Sequence, residues 1–239
     1  MKRETVTPET HVLEVWGDFA CFTRPELKVE RFSYPVITPS AARGIFDAIY
    51  CKPVEFRWQI TKVEILKPVQ YIALRRNEMK GKLAEATVLK WARGADAQPM
   101  WADGDEEGSG RTQRQTMALK DVRYRLHAHM VLWQESIPAG KVNSEFRRRA
   151  NAGKCFAQPS FGLREFPAYF ELATENNVPA ISWDADLGWM LYDVFDLSRL
   201  GASHDAASVS IFRARVKGGS MDVPPFSSPD VRKVEGGSQ

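Results

Sequence analysis

The sequence predicts an α+β fold: a ferredoxin-like (RRM-like) N-terminal domain with an insertion, followed by a small antiparallel β domain. Three observations lead there. Residues 54–67 and 116–133 each alternate apolar and polar side chains with a period of two, as half-buried strands do. One well-signposted helix precedes the first of them. The resulting order (strand, helix, strand, strand, insertion, strand) fits a ferredoxin-like unit, whereas a doubly wound parallel sheet would need more alternating helices.

Taken in order, residues 11–22 form a β-rich run interrupted at Gly17-Asp18, where a bend or bulge is expected. The helix follows. Thr38 suits its N-cap and Pro39 its first position, where a missing N–H costs nothing. Ala41, Ala42, Ile45, Phe46 and Ile49 make a core-facing stripe, and Arg43, Asp47 and Tyr50 share the other face. Pro53 disfavours the α conformation at Lys52, so the helix is expected to stop there.

In the next strand Val54, Phe56, Trp58 and Ile60 point one way, and the phase shifts near Thr61, which predicts a bulge. A short strand over 69–74 comes after Pro68. Residues 76–115 read as a variable, partly mobile insertion, with several glycines, an acidic knot at 103–107 and a helix over 82–92. The clearest strand puts Val122, Tyr124, Leu126, Ala128, Met130 and Leu132 on one face, and Arg123, Arg125, His127 and His129 on the other. A short basic helix is expected over 144–152, ending at Gly153, then strands near 168–173, 187–195 and 209–217. The domains are therefore expected at 1–135 and 136–217, with a partly disordered Gly, Ser and Pro-rich tail over 218–239.

The 239 residues are 44% hydrophobic, enough for a real core. Three widely spaced cysteines (Cys21, Cys51, Cys155) argue against a disulfide framework or a cysteine zinc site, and for a reducing cytoplasm. No secretory h-region and no membrane-length apolar run is present. A net charge of +3 announces no nucleic-acid binder. Its distribution says more: residues 111–154 are strongly basic and 165–206 strongly acidic. One face toward an anionic polymer explains this, as do two solvated surfaces of opposite sign.

His127 and His129, two apart on a strand, share the face of Arg123 and Arg125. They read as an acid/base pair, a metal pair, or histidines on an RNA-contacting sheet. Zinc takes three or four ligands, and only His11 and His204 remain, both distant in sequence, so no metal or cofactor is expected. Walker A, G-x-G-x-x-G, G-x-S-x-G and H-E-x-x-H motifs are all missing. Gly140-Lys141, the Arg147-Arg148-Arg149 cluster and Tyr50-Cys51-Lys52 suggest another chemistry. RNA is cut without metal when its own 2′-OH attacks the adjacent phosphate. That needs a proton acceptor, a cation for the phosphorane and a donor for the leaving oxygen. Tyrosine, lysine and histidine can fill these roles, and arginines hold the backbone.

Several stretches carry a family resemblance across nearly the whole chain. They are Val15-Trp16-Gly17-Asp18-Phe19-Ala20-Cys21-Phe22-Thr23, Ser40-Ala41-Ala42-Arg43-Gly44-Ile45, Ile49-Tyr50-Cys51-Lys52-Pro53, Leu119-Lys120-Asp121-Val122-Arg123-Tyr124, Phe161-Gly162-Leu163-Arg164-Glu165-Phe166, Leu187-Gly188-Trp189-Met190-Leu191-Tyr192-Asp193 and Phe212-Arg213-Ala214-Arg215. In this order they resemble the CRISPR-associated (Cas) fifth-family protein of the type I-C system, the "d" variety.

The resemblance implies a ferredoxin-like domain with a small C-terminal sheet. It also implies metal-independent cutting of precursor CRISPR RNA at the base of the repeat hairpin. The protein would then stay on the 5′ handle beside the backbone and large subunits of the interference complex. The family's site is a Tyr, a Lys and a His; Tyr50 and Lys141 match it, while Val142 stands where the histidine is expected. Another group, such as His127 or His129, would then replace it, or cutting would be slower, with Arg43, Lys52, Arg123, Arg125, Arg147, Arg148 and Arg149 holding the RNA. The alternatives are a handle-binding subunit without catalysis, or a general duplex DNA binder or nuclease.

Overall fold

Strand β5 (Arg111–Leu132) is the axis of the large sheet in the computed structural model, which describes residues 8–27, 29–79, 83–97, 110–173, 178–200 and 208–233. Along one edge β5 pairs antiparallel with β1 (Thr10–Ala20). It also pairs antiparallel with β3 (Phe56–Ile65) through residues 124–132, and with β4 (Tyr71–Met79) through residues 111–119. The change of neighbour falls at Asp121, whose φ of 52° is in the left-handed region that aspartate tolerates better than most residues. The two-residue β2 (Arg31–Phe32) adds a short parallel pairing to β5.

Two later strands complete this sheet. β6 (Tyr169–Leu172) pairs with β1, and β9 (Ser220–Asp222) pairs with β3, giving the order β6-β1-β5-β3-β9. A second sheet of three antiparallel strands runs β10-β8-β7, from β7 (Ala185–Asp193), β8 (Ser210–Val216) and β10 (Val231–Lys233). The whole is a mixed α/β molecule of antiparallel sheets with few helices.

Helix α1 (Pro39–Ile49) forms with the expected entry: Thr38 Oγ1 accepts from Ala41 N at 3.2 Å. Ala42, Ile45, Phe46 and Ile49 are buried, as the stripe requires. The helix ends at Ile49, short of Lys52, because tertiary donors claim its last carbonyls. In β3 the bulge lies where the phase change put it, with the register shifting between Ile60 and Lys62. Val54 precedes the strand and is exposed.

Other expectations change. β1 runs unbroken through Gly17, which pairs with Val122. The glycine answers a close approach instead of making a bend: a Cβ there would sit 2.7 Å from Pro167 O and 2.9 Å from the Phe161 ring. Gly162, at φ +85°, presses on the backbone of Cys21 in the same way. The flanks of the stretch read as an insertion are strand, since β4 continues to Met79 and β5 starts at Arg111. Within it α2 spans Glu85–Ala92, while the acidic knot lies outside the described residues.

Helix α3 (Ala139–Asn151) begins at Ala139 instead of Ser144, because Val142, Phe146 and Ala150 form a buried i, i+4, i+8 stripe. The stretch read as a tail carries β9 and β10 and buries Met221 and Phe226. Among the described residues no helix is long and apolar enough to cross a membrane.

The Gly162 contact makes a direct prediction. Gly162→Ala should lower stability by about 1–3 kcal/mol through backbone strain alone, and by more if Cys21 has to move. A urea midpoint unchanged from the parent chain would refute the close approach.

Candidate active site

Three hydrogen bonds close the C-terminal end of α1. Ala48 O accepts from Phe156 N at 2.7 Å, Ile49 O from Arg149 Nε at 2.7 Å, and Tyr50 O from Trp58 Nε1 at 2.9 Å. These are helix-end carbonyls with no partner inside the helix, so they must be met from outside when the end is buried. Tyr50 itself leaves the helix in an extended conformation, φ −151° and ψ 111°. Its ring turns inward against Phe56, centroids 5.3 Å apart, instead of lining up with Arg43 and Asp47. Only 4% of Tyr50 is exposed. Burial pushes its phenol pKa up, against the opposing pull of the Lys52 cation, so the hydroxyl stays protonated at neutral pH.

Helix α3 supplies the facing wall. Phe146 packs on Trp58 and Phe46, with centroids 4.7 and 5.6 Å apart, which fixes the rotation of the helix. That rotation presents Lys141, Glu145 and Arg148, spaced four and then three, along one face. Together with Tyr50 and Lys52 they line a cleft of about 760 Å³. Glu55 and Phe156 also reach it. Lys52 Nζ donates to Glu55 Oε1 at 2.7 Å, and Arg148 donates to both oxygens of Glu145 at 2.7 and 2.9 Å. The Arg148 hydrogen bond holds the Glu145 carboxyl below its usual range.

The remaining sequence candidates sit elsewhere. Arg43 gives Nε and Nη2 to Asp193 at 2.8 and 3.1 Å and Nη1 to Asp47 at 2.5 Å, tying α1 to β7. Arg125, with a side chain 6% exposed, spans Glu64 at 2.6 Å and Glu14 at 3.3 Å and donates to Val178 O at 2.7 Å. Arg123 pairs with Glu14 as well. His127 Nε2 lies 3.1 Å from Glu64 Oε1. The face expected to be basic is therefore largely neutralised from the neighbouring strands. Arg147 pairs with Glu9.

His129 lines a different cavity, of about 670 Å³, with Glu9 and Asn143. Val142, only 2% exposed, is the residue common to both linings. Burial lowers the pKa of both His127 and His129, leaving neutral imidazoles at neutral pH.

Of the candidates read from sequence, then, one cleft gathers Tyr50, Lys141, Lys52, Arg148 and Arg149. Among the lining residues that sequence reasoning missed, three bear on the chemistry. Glu145 is four residues after Lys141, a spacing that shows once the helix is started at Ala139. Glu55 sits three after Lys52, across Pro53. Nothing in the sequence marks Phe156.

A family model described as CRISPR-associated protein (Cas_Cas5) matches residues 10–224. The chain belongs to the Cas5d family. Two relatives carry the name CRISPR pre-crRNA endoribonuclease Cas5d. One, from Mannheimia succiniciproducens, is 41% identical over 230 residues, 92% of this chain and 97% of its own length. The other, from Thermus thermophilus, is 36% identical over 238 residues, 94% of this chain and 96% of its own. A crystal structure of a CRISPR-associated protein shares the fold at a TM-score of 0.63 and 20% identity, covering 94% of this chain and 97% of that one.

Within this Cas5d chain two arginines read alike in sequence should behave differently. Arg125→Ala leaves Glu14 with Arg123 and Glu64 with Lys62, removes the buried guanidinium between them, and should cost about 1–3 kcal/mol. Arg148→Ala, at an exposed pair, should stay within about 0.5 kcal/mol. Urea midpoints of the two variants check both; equal values would refute the buried network.

Proposed function

We propose that the chain is an endoribonuclease that cuts precursor CRISPR RNA in the repeat hairpin. Cutting proceeds by attack of the RNA's own 2′-OH, without a metal, and the protein then stays on the 5′ handle beside the backbone and large subunits of the interference complex. The observation that carries this reading is that Tyr50 and Lys141 line the same cleft. They come from separate elements, the residue that follows α1 and the first turn of α3, and are the two residues that match the family's site. The two relatives named as pre-crRNA endoribonucleases, similar over almost their full length, support it.

The 2′-oxygen bonds to phosphorus, the P–O5′ bond breaks, and the products are a 2′,3′-cyclic phosphate and a 5′-hydroxyl. Lys141 stabilises the phosphorane charge. Tyr50, held protonated by burial, donates to a phosphoryl or leaving oxygen, and is a donor rather than a base. Glu55 and Glu145 are the proton acceptors that this cleft offers in place of the histidine. Lys52 and Arg148 face the backbone phosphates.

A ferredoxin-like arrangement of the larger unit belongs to the same proposal. The order β6-β1-β5-β3, with α1 and α3 following the first and third strands of that set, supports it. The division into this unit and a small C-terminal sheet rests on the same order.

One observation favours a second reading. Val142, at the position of the family's histidine, is apolar and buried, which suits a handle-binding subunit without catalysis. Repeat RNA incubated with the purified chain in EDTA separates the two. Cleavage predicts a single defined cut, slowed about 10²–10⁴-fold in Tyr50→Phe and in Lys141→Ala. Intact RNA held by tight, salt-sensitive binding would establish the second reading instead. As the pH rises, the rate should hold up to about 9, because the phenol ionises above the ordinary tyrosine value. A decline beginning near neutrality would remove Tyr50 as the donor.

A further inference from the structure

Phe156 is one of the most exposed apolar side chains among the described residues, at 65%. A lone exposed ring needs no explanation. This one differs in three respects. Its backbone is fixed, because Phe156 N donates to Ala48 O at 2.7 Å. One face of the ring is covered by the Arg149 guanidinium, 4.0 Å from the centroid, and that guanidinium is itself anchored by Nε to Ile49 O at 2.7 Å. The ring also stands on the wall of the cleft that holds Tyr50 and Lys141.

These contacts change what Arg149 does. With one N–H spent on a helix-end carbonyl and its plane spent on the ring, it serves as a rigid backing instead of a loose phosphate clamp. Phe156 is therefore held flat before any ligand arrives. A fixed ring with its remaining surface open suits a flat, apolar-faced partner, and little ordering cost remains to be met when one binds. The surroundings say which partner. The cleft beside the ring carries Lys52, Lys141 and Arg148. A protein-docking patch would be more apolar and depleted of such charge at its centre. Cations spaced around one open aromatic face suit a single strand, whose phosphates take the cations while an unstacked base takes the ring.

We propose that Phe156, backed by Arg149, is the stacking platform for the nucleobase next to the scissile phosphate, so that the RNA is splayed open at the point of cutting. The proposal rests on the Tyr50–Lys141 cleft being the site where RNA is held. It adds a positioning role by which the base on Phe156 orients the 2′-OH, the phosphorus and the leaving oxygen in line. Because every base has a π-face, the platform is tolerant of base identity, and sequence choice must come from elsewhere along the repeat.

The test uses repeat RNA with a 2′-deoxy sugar at the attacking nucleotide, so that it stays whole, and 2-aminopurine placed in turn on either side of the cut. Bound to the full chain, one position should show fluorescence quenched by stacking. The quench should vanish in Phe156→Ala and persist in Phe156→Tyr and Phe156→Trp. On unmodified repeat RNA, Phe156→Ala should slow cutting about tenfold or more, with Phe156→Tyr restoring most of the rate.

Failure is readable in two separate ways. If the parent chain binds and cuts RNA but no probed base responds to Phe156→Ala, the platform is refuted and the cleft stands. If the parent chain neither binds nor cuts repeat RNA, the reading of the cleft itself fails, and the platform with it. A Phe156→Tyr variant that keeps its urea midpoint yet loses the quench also overturns the proposal.

Discussion

The end of α1 is the constraint on which the site depends. Three consecutive carbonyls, those of Ala48, Ile49 and Tyr50, have no partner within the helix and find one each in Phe156, Arg149 and Trp58. The donors come from the segment after α3, from α3 itself and from β3. Leaving one buried carbonyl unmet costs about 1–3 kcal/mol, so no donor can drift without a penalty on the scale of a whole core contact. The helix stops at Ile49 because its next carbonyl is already bonded to an indole. Tyr50 therefore points where Trp58 allows, and α3, carrying Lys141, is held to the same point by Arg149. A helix end has become the reference to which both walls of the cleft are fixed.

The cationic side chains divide according to what lies across from them. Arg43 bridges α1 and β7 through Asp47 and Asp193, and Arg125 sits between Glu14 and Glu64; neither presents net charge to solvent. Removing one member of such a buried set leaves its partners less well compensated, which is why these arginines act on stability before they act on any ligand. Two cations of the cleft, Lys52 and Arg148, form ion pairs with Glu55 and Glu145, each three residues away and partly exposed. Pairs of that kind contribute little and exchange readily for a phosphate. A formal charge count in a segment cannot separate the two groups.

What was legible in the sequence was local. The Thr38 cap, the Ile60–Lys62 irregularity and the alternation along β5 all follow from periodicity or from one residue's conformational preference. What was not legible required knowing a partner distant in the chain. Glu14 and Glu64 neutralise Arg125 only because β1 and β3 flank β5. Gly17 reads equally as a break or as a site of close approach, and Phe161 and Pro167 decide which. The early start of α3 was written in the spacing of Val142, Phe146 and Ala150, but Gly140, two residues after Pro138, imitates a loop. Phe156 gave no signal because its meaning lies wholly in Arg149 and Ala48.

Val142 shows what packing demands of the first turn of α3. It belongs to the buried stripe that seats α3 against Trp58, and is 2% exposed between two cavities. An imidazole at this point would have to displace apolar packing or reach into one cavity or the other, so valine exchanges a polar group for a better-packed first turn. The cleft's polar groups include a buried, protonated phenol and the carboxylates of Glu55 and Glu145, each carboxylate hydrogen-bonded to a cation. A phosphate that draws Lys52 or Arg148 toward itself also loosens that cation's hold on the carboxylate. The carboxylate then becomes a stronger proton acceptor at the moment the phosphate arrives. On the proposed reading of the cleft, binding the backbone and preparing the base become the same event, which a fixed histidine would have kept separate.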